Sequence, residues 1–374
     1  MKPSASLSIL HVVGSLNHNW GGLSLYVAEL AAELASQGHR TQIVCPPGNA
    51  SEQWPAGEAE VVYAISGSKE WESALHRADL LHVHGLWLPY CHRALAAARR
   101  RNCPHLLSVH GMLEPGALQF SQWKKRLALW LYQRKDLRHA TALHATASTE
   151  LQTLRTFGLT QPIVTLPPGV RLPVAEPKPL PADAPRRALF LGRIHPKKGI
   201  LSLIDAWAAL PPHSWKLDLA GPDEAGHLAE VWRRLREKKL EQSVTYHGPV
   251  FGEAKEKLLA EASLLVVPSI SENFGIVVAE GLAHGLPVIT TTGTPWEVLA
   301  RERCGWWVTI QGDALRAALQ MAIALPPATL RAMGQRGREL TAREFGWPHL
   351  AGQMREVYAW LLGRASRPEC VPLS

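Results

Sequence analysis

The stretch SENFGIVVAEGLAHGLPVIT, residues 271–290, carries two acids, Glu272 and Glu280, in an otherwise apolar run. Desolvating a carboxylate is expensive, so acids beside a buried helix need partners or a task. Leu264–Val267 reads as a strand ended by Pro268 and Ser269, with Glu272 in the loop that follows. Phe274–Gly275 then opens a helix running to about His284. The first amides of such a helix lack partners inside it, and its positive end favours an anion or polar oxygens. Glu280 falls in the second turn, where a carboxylate can accept two hydrogen bonds from a vicinal diol such as a ribose. Glu272 can reach a sugar carried by the same nucleotide. The plainer alternative is a solvated loop acid and a surface helix acid. The flanking residues Ile276, Val277, Val278, Ala279, Gly281, Leu282 and Ala283 weigh against it, because a helix apolar on nearly every side is buried.

A second stretch, LFLGRIHPKKGILSLIDAW from Leu189, has the strand–glycine turn–helix order that holds phosphates. Arg193 and Lys198 project from the turn, with Lys197 an alternative to Lys198. Each charged hydrogen bond to a diphosphate contributes about 1.5–3 kcal/mol. A third stretch, HVVGSLNHNWGGLSLYVAELAAELASQGHR, runs from a strand through Gly21–Gly22 into an amphipathic helix. Paired glycines let backbone amides approach a phosphate or sugar closely. No GxGxxG occurs, which removes the main support for a nicotinamide or flavin enzyme. His110, in LLSVHGMLEPG, ends a strand where it could hydrogen-bond a sugar hydroxyl. His82 and His84, in LLHVHGLW, end another and are candidates for the acceptor side.

These residues must be positioned by strands and helices that alternate along the whole chain. Strands are expected at Leu7–Val13, Thr41–Cys45, Glu60–Tyr63, Leu80–His84, His105–His110, Ala142–Ala145 and Ile163–Leu166. The second half repeats the scheme at Ala188–Leu191, Lys216–Ala220, Val244–His247, Leu264–Val267, Pro287–Thr290 and Trp306–Val308. Runs of Val, Ile and Leu without strict alternation suit parallel strands covered on both faces. The pattern argues two doubly wound α/β domains, whose ligands bind beyond the carboxyl ends of the strands. The expected division is 1–170, a Pro-rich linker 171–185, a second domain 186–346, a helix 347–363 crossing back to the first domain, and a frayed tail 364–374.

Composition narrows the class. At 374 residues the chain suits two domains, and its +8 net charge steers it toward anions without choosing among them. The five cysteines form no CxxC pair and fit a reducing compartment. The apolar run near Met1 is too short for a signal peptide, and no run of about 18 apolar residues occurs, so a cytoplasmic protein is expected. The segment SQWKKRLALWLYQRKDLRH sets Lys124, Lys125, Arg126, Arg134, Lys135 and Arg138 beside Trp123, Leu127, Trp130 and Leu131. It reads either as an anionic-membrane contact over 122–138 or as a surface helix with its apolar stripe in the core.

Together the glutamate pair in SENFGIVVAEGLAHGLPVITTTGTPWEVL, the GRIHPKKG turn, the WGG loop, the SVHG strand end and the PPGV before the linker resemble the retaining nucleotide-sugar glycosyltransferases of group 1, family 4. The resemblance implies the GT-B fold, two Rossmann-like doubly wound parallel-sheet domains facing across a cleft. It implies that Arg193 and Lys198 grip the donor diphosphate and Glu280 the ribose. Glu272 and the segment Asn273, Phe274, Gly275 and Ile276 would meet the donor sugar, Gly21 and Gly22 the phosphates, and His110 the sugar. The loop around Pro249–Phe251, with Val250, would receive the base.

The expected activity is metal-independent, retaining transfer of a hexosyl or N-acetylhexosaminyl group to a glycan or lipid-linked acceptor, in bacterial polysaccharide or glycolipid biosynthesis. No DxD occurs and no cofactor is expected beyond the nucleotide-sugar co-substrate. Arg193, Lys198 and helix-end amides would stabilise the leaving phosphate. A nucleotide-sugar epimerase or phosphorylase on the same scaffold, or a silent assembly subunit, are the alternatives. No nucleic-acid motif is present.

Overall fold

Alternate residues of one strand serve two different cores, so both faces of the sheet are covered. In β1 (Ser8–Val13), Ile9 and Val13 join one buried cluster while Leu10 and Val12 join another. The computed structural model describes residues 6–17, 22–48, 57–118, 121–174 and 185–372. Gly21 and most of the expected linker, 175–184, lie outside them.

The first unit comprises Met1–Gly169 and Trp347–Ser374. Its remaining strands are β2 (Arg40–Cys45), β3 (Glu60–Tyr63), β4 (Leu80–His84), β5 (His105–Ser108), β6 (Ala142–Ala145) and β7 (Ile163–Thr165). They form one parallel sheet in the order β3-β2-β1-β4-β5-β6-β7. The second unit, Val170–Gly346, holds β8 (Arg187–Leu191), β9 (Lys216–Ala220), β10 (Val244–Tyr246), β11 (Leu264–Val267), β12 (Val288–Thr291) and β13 (Gly305–Val308). Its parallel sheet runs β10-β9-β8-β11-β12-β13. In each sheet the order reverses once, between β1 and β4 and between β8 and β11. In open α/β sheets ligands bind at such a reversal, beyond the carboxyl ends of the strands.

The helix Trp347–Leu361 packs within the first unit. Its Trp347 indole donates to Glu29 at 2.6 Å. A Cβ on Gly169 would sit 2.3 Å from the Trp347 ring, so only glycine fits there. Val170 belongs with the second unit instead, because its N–H bonds the Phe345 carbonyl at 2.8 Å. The segment after this helix is fixed rather than frayed. Thr165 N–H donates to the Cys370 carbonyl at 2.8 Å, and Val371 is buried.

The helix expected over 122–138 is interrupted. Gln122–Ala128 is α-helical, Leu129–Gln133 makes a π turn, and Arg134–Arg138 resumes the α-helix. From the π turn, Tyr132 O–H donates to the Trp87 carbonyl at 2.6 Å and Gln133 accepts the Trp87 N–H at 2.8 Å. The apolar stripe is not in the core. Trp123 is 68%, Trp130 77% and Leu131 59% exposed, so the surface-helix reading with a buried stripe is corrected.

Candidate functional site

Because β8 and β11 are neighbours at the point of reversal, the turn after one meets the loop after the other. Lys198, after β8, donates its ammonium to Glu272 Oε1, after β11. Both side chains are largely buried, at 16% and 15% exposed, so the pair is poorly screened. Ser269 O–H donates to the same Glu272 oxygen at 2.8 Å. The loop is set before any ligand arrives. Ile270 N–H bonds the Lys197 carbonyl at 2.8 Å and Glu272 N–H the Gly293 carbonyl at 2.9 Å. The Trp296 indole donates to the Phe274 carbonyl at 2.6 Å, and Phe274 itself is buried against Trp296 and Phe345. Gly199 has φ +68°, and a Cβ there would lie 2.0 Å from the Pro268 carbonyl oxygen, so the close turn requires glycine.

Gly275 caps the helix Ile276–Ala283 at φ +78°, leaving the first helical amides, from Ile276 on, at the same loop. Glu280 sits in the second turn with its side chain 12% exposed, and its partner is Lys255 at 2.6 Å. Arg193 is more exposed and pairs with Glu224 at 2.5 Å. Thus Lys198 and Glu272 are brought into one contact, while Glu280 and Arg193 each hold a separate ion pair. Asn273 is half-buried beside Glu272, and Val250 is half-buried in the loop after β10. Sequence reasoning missed Lys255 and Glu224, and no spacing pattern marks either.

In the first unit, Gly22 is exposed and begins the helix Gly22–Ser36, while Gly21 is outside the described residues. His110 follows β5 in the left-handed region at φ +53°. The carboxylate of Glu150 holds its turn. It accepts the Gly111 N–H on one oxygen, and on the other the Thr146 N–H at 2.7 Å and Thr146 O–H at 3.0 Å.

His82 and His84 do not line an open acceptor surface: both are buried, and they belong to a cluster with His11, His110 and His144. Register explains it, since His82 lies beside His11 and the chain of partners His84, Ser108 and His144 crosses three strands. Burial lowers every ring, His11 and His110 to about 3 and His144 to about 4, with His82 and His84 well below the ordinary value. All five are therefore neutral at pH 7.

One hydrogen-bond chain has a fixed direction. His144 Nε2 faces the Leu166 carbonyl at 2.9 Å, which only accepts, so this nitrogen carries the proton and Nδ1 is bare. Ser108 O–H therefore donates to His144 Nδ1 at 2.6 Å and accepts from His82 Nε2 at 2.6 Å. His82 Nδ1 then accepts the Tyr358 O–H at 2.7 Å, which ties the helix Trp347–Leu361 to the sheet.

His11, His82 and His84 each bring a nitrogen within 4.8 Å of the others, a spacing that could hold a metal ion. Both nitrogens of His82 and both of His84 already have partners, however. The three rings fit a hydrogen-bond network better than a ligand set.

Residues 185–324 match the family described as glycosyl transferases group 1, and residues 20–172 match glycosyltransferase family 4. The chain is 26% identical over 390 residues to the D-inositol 3-phosphate glycosyltransferase of Jonesia denitrificans, covering 90% of this chain and 91% of that one. Among solved structures it superposes on sucrose-phosphate synthase from Thermosynechococcus elongatus with a TM-score of 0.74 at 23% identity, covering 96% and 100% of the two chains. A similar match, with a TM-score of 0.73 at 20% identity and 95% and 100% coverage, is Anabaena HepE solved with UDP and glucose.

Proposed function

The chain belongs to the group 1, family 4 glycosyltransferases and has the GT-B fold, and on that premise we propose that it is a retaining enzyme moving a sugar from a nucleotide-diphosphate donor to an acceptor hydroxyl. The observation that carries this reading is the Lys198–Glu272 contact at the reversal between β8 and β11. There a cation, an acid and the first amides of the helix Ile276–Ala283 converge on one loop.

In this reading a diphosphate arriving at the loop shares the Lys198 ammonium, and Arg193 adds a second cation. The amides of Gly275 and Ile276, with Asn273 and Phe274 beside them, bind phosphate and sugar oxygens. Glu280, near Lys255, holds the ribose. Gly21 and Gly22, Val250 and His110 complete the substrate contacts. As the glycosyl bond breaks, charge grows on the departing phosphate, and fixed cations and dipoles stabilise it with no metal needed for that task.

Glu272 is already the counter-ion of Lys198, which makes it a weak nucleophile and an apt neighbour for a sugar that gains oxocarbenium character. Same-face attack follows, the acceptor proton passing to the leaving phosphate. A glycosyl–Glu272 adduct trapped during turnover would contradict this step.

For the acceptor, the exposed stripe of Trp123, Leu127, Trp130 and Leu131 beside Lys124 and Arg126 suits an anionic membrane surface. That favours a lipid-linked acceptor and work at the cytoplasmic face of a membrane, as in polysaccharide or glycolipid assembly. No described helix is long and apolar enough to cross a membrane.

A thermal-shift screen of the full chain against nucleoside diphosphates and their sugars tests the donor reading. HepE, whose structure holds UDP, makes uridine nucleotides the first arm. Selective stabilisation by one nucleotide is expected, and no response to any would overturn the proposal.

A further inference from the structure

His84 Nδ1 lies 3.3 Å from His110 Nε2, and His84 Nε2 lies 3.1 Å from His11 Nδ1. The three rings thus form a second chain, from β1 through β4 to His110, two residues past β5. A neutral imidazole has one N–H and one bare nitrogen, so such a chain can run in only two directions. In one, His11 Nδ1–H donates to His84, His84 Nδ1–H donates to His110, and His110 is left with its proton on Nδ1. In the other, every proton sits on the opposite nitrogen, and His110 shows a bare Nδ1.

The far end of the chain decides between them. His11 Nε2 is buried with no hydrogen-bond partner. In the second direction it would be a buried N–H without an acceptor, the orphan that folded proteins tolerate least. In the first it is only a buried bare lone pair, which costs less than a buried N–H without an acceptor. The ring plane of His110 is restrained as well, by an edge contact with Tyr26 at 5.2 Å between centroids. Its backbone is held by Glu150 through Gly111.

We propose that His11 and His84 are positioning residues that fix the tautomer of His110, so that His110 offers Nδ1–H as a hydrogen-bond donor to a hydroxyl of the transferred sugar. This rests on reading His110 as a substrate-contacting group. A donor at that point favours ligand oxygens with lone pairs to give, and it makes His110 unable to act as the base for an acceptor hydroxyl through that nitrogen.

The test uses the full chain labelled with 15N-histidine, read by long-range 1H–15N correlation at pH 7.5. The His110 signals are assigned by their loss in His110→Gln. The expected spectrum has a protonated Nδ1 and a bare Nε2 at His110. A protonated Nε2, or two averaged nitrogens, would overturn the proposal. Two variants separate positioning from folding. In His84→Gln the amide N–H can still donate to His110 and the amide oxygen can still accept from His11, so the His110 tautomer should persist. In His84→Phe the link is broken; the His110 nitrogens should average, and kcat should fall about tenfold with nucleotide affinity unchanged. A lowered kcat in His84→Phe with an unaltered His110 tautomer would also overturn it. If His110→Gln transfers sugar normally while the wild-type spectrum is as expected, the substrate role of His110 fails and the chain's direction stands.

Discussion

Lys198 and Glu272 lie 74 residues apart in sequence, yet the ammonium of one donates to the carboxylate of the other across the reversal between β8 and β11. Removing the lysine therefore does two things: it deletes a cation for the diphosphate and leaves a largely buried carboxylate unpaired. Lys198→Ala should weaken nucleoside-diphosphate binding by about 1.5–3 kcal/mol, roughly tenfold to a hundredfold, and lower transfer at least as much. Titration calorimetry against Lys197→Ala as the control checks it. Equal affinity in the Lys198 variant would assign the diphosphate to another cation.

The hydroxyl of Tyr358 is buried and donates to His82 Nδ1, so its loss leaves that nitrogen without a donor. Tyr358→Phe should cost about 1–3 kcal/mol of stability, measured by denaturant unfolding. Because the contact ties the helix Trp347–Leu361 to the first sheet and touches no proposed substrate group, nucleotide affinity should be unchanged. An unaltered unfolding midpoint would show that the chain from Tyr358 to Leu166 adds nothing to the fold.

Some of this was legible in the sequence, and the limits have physical causes. Leu264–Val267 reads as a strand because burial on both faces writes an uninterrupted apolar run, and Leu80–His84 because its leucines and valine leave only His82 and His84 to break one. Glu272 and Lys198 stood out because each follows such a strand beside a glycine turn. The imidazole network was not legible. It depends on which strands are neighbours and in what register, as in His11 beside His82, and neither is encoded by local pattern. For the same reason Lys255 gave no sign that it would meet Glu280. The π turn at Leu129–Gln133 escaped too, since one extra residue per turn leaves the spacing of Trp123, Leu127 and Trp130 helical.

The buried rings predict how stability depends on pH. Folded His11 and His110 titrate near about 3 and His144 near about 4, against an ordinary 6.5. Below about pH 6.5 the unfolded chain takes up protons that the folded chain refuses, so stability is fully present above that pH and falls as pH drops toward 4. Each ring contributes on the order of 1 kcal/mol per pH unit in that window. Tyr26, Tyr358, Cys91 and Glu150 are further titratable groups around the cluster, and the tyrosines and the thiol stay protonated throughout, held there by burial. Melting temperature should drop clearly between pH 7 and pH 5, above the main carboxylate range. A flat profile would mean that the rings are hydrated.

The exposed stripe around Trp123 and Trp130 makes a separate prediction. The full chain should co-sediment with vesicles containing anionic lipid and not with neutral ones, and the binding should weaken with salt. Neutralising Lys124, Lys125 and Arg126 together should abolish it. Lys125 also donates to the Ala117 carbonyl at 2.5 Å, so a variant changing only Lys124 and Arg126 controls for local disruption. Vesicle binding that survives both changes would assign the contact to another surface.

The most direct test is a structure of the chain with a nucleoside diphosphate bound. The pyrophosphate is expected within hydrogen-bond distance of Lys198 and the Gly275–Ile276 amides, and the ribose hydroxyls on Glu280. A nucleotide lying elsewhere, with the Lys198–Glu272 contact undisturbed and Glu280 still held only by Lys255, would contradict it.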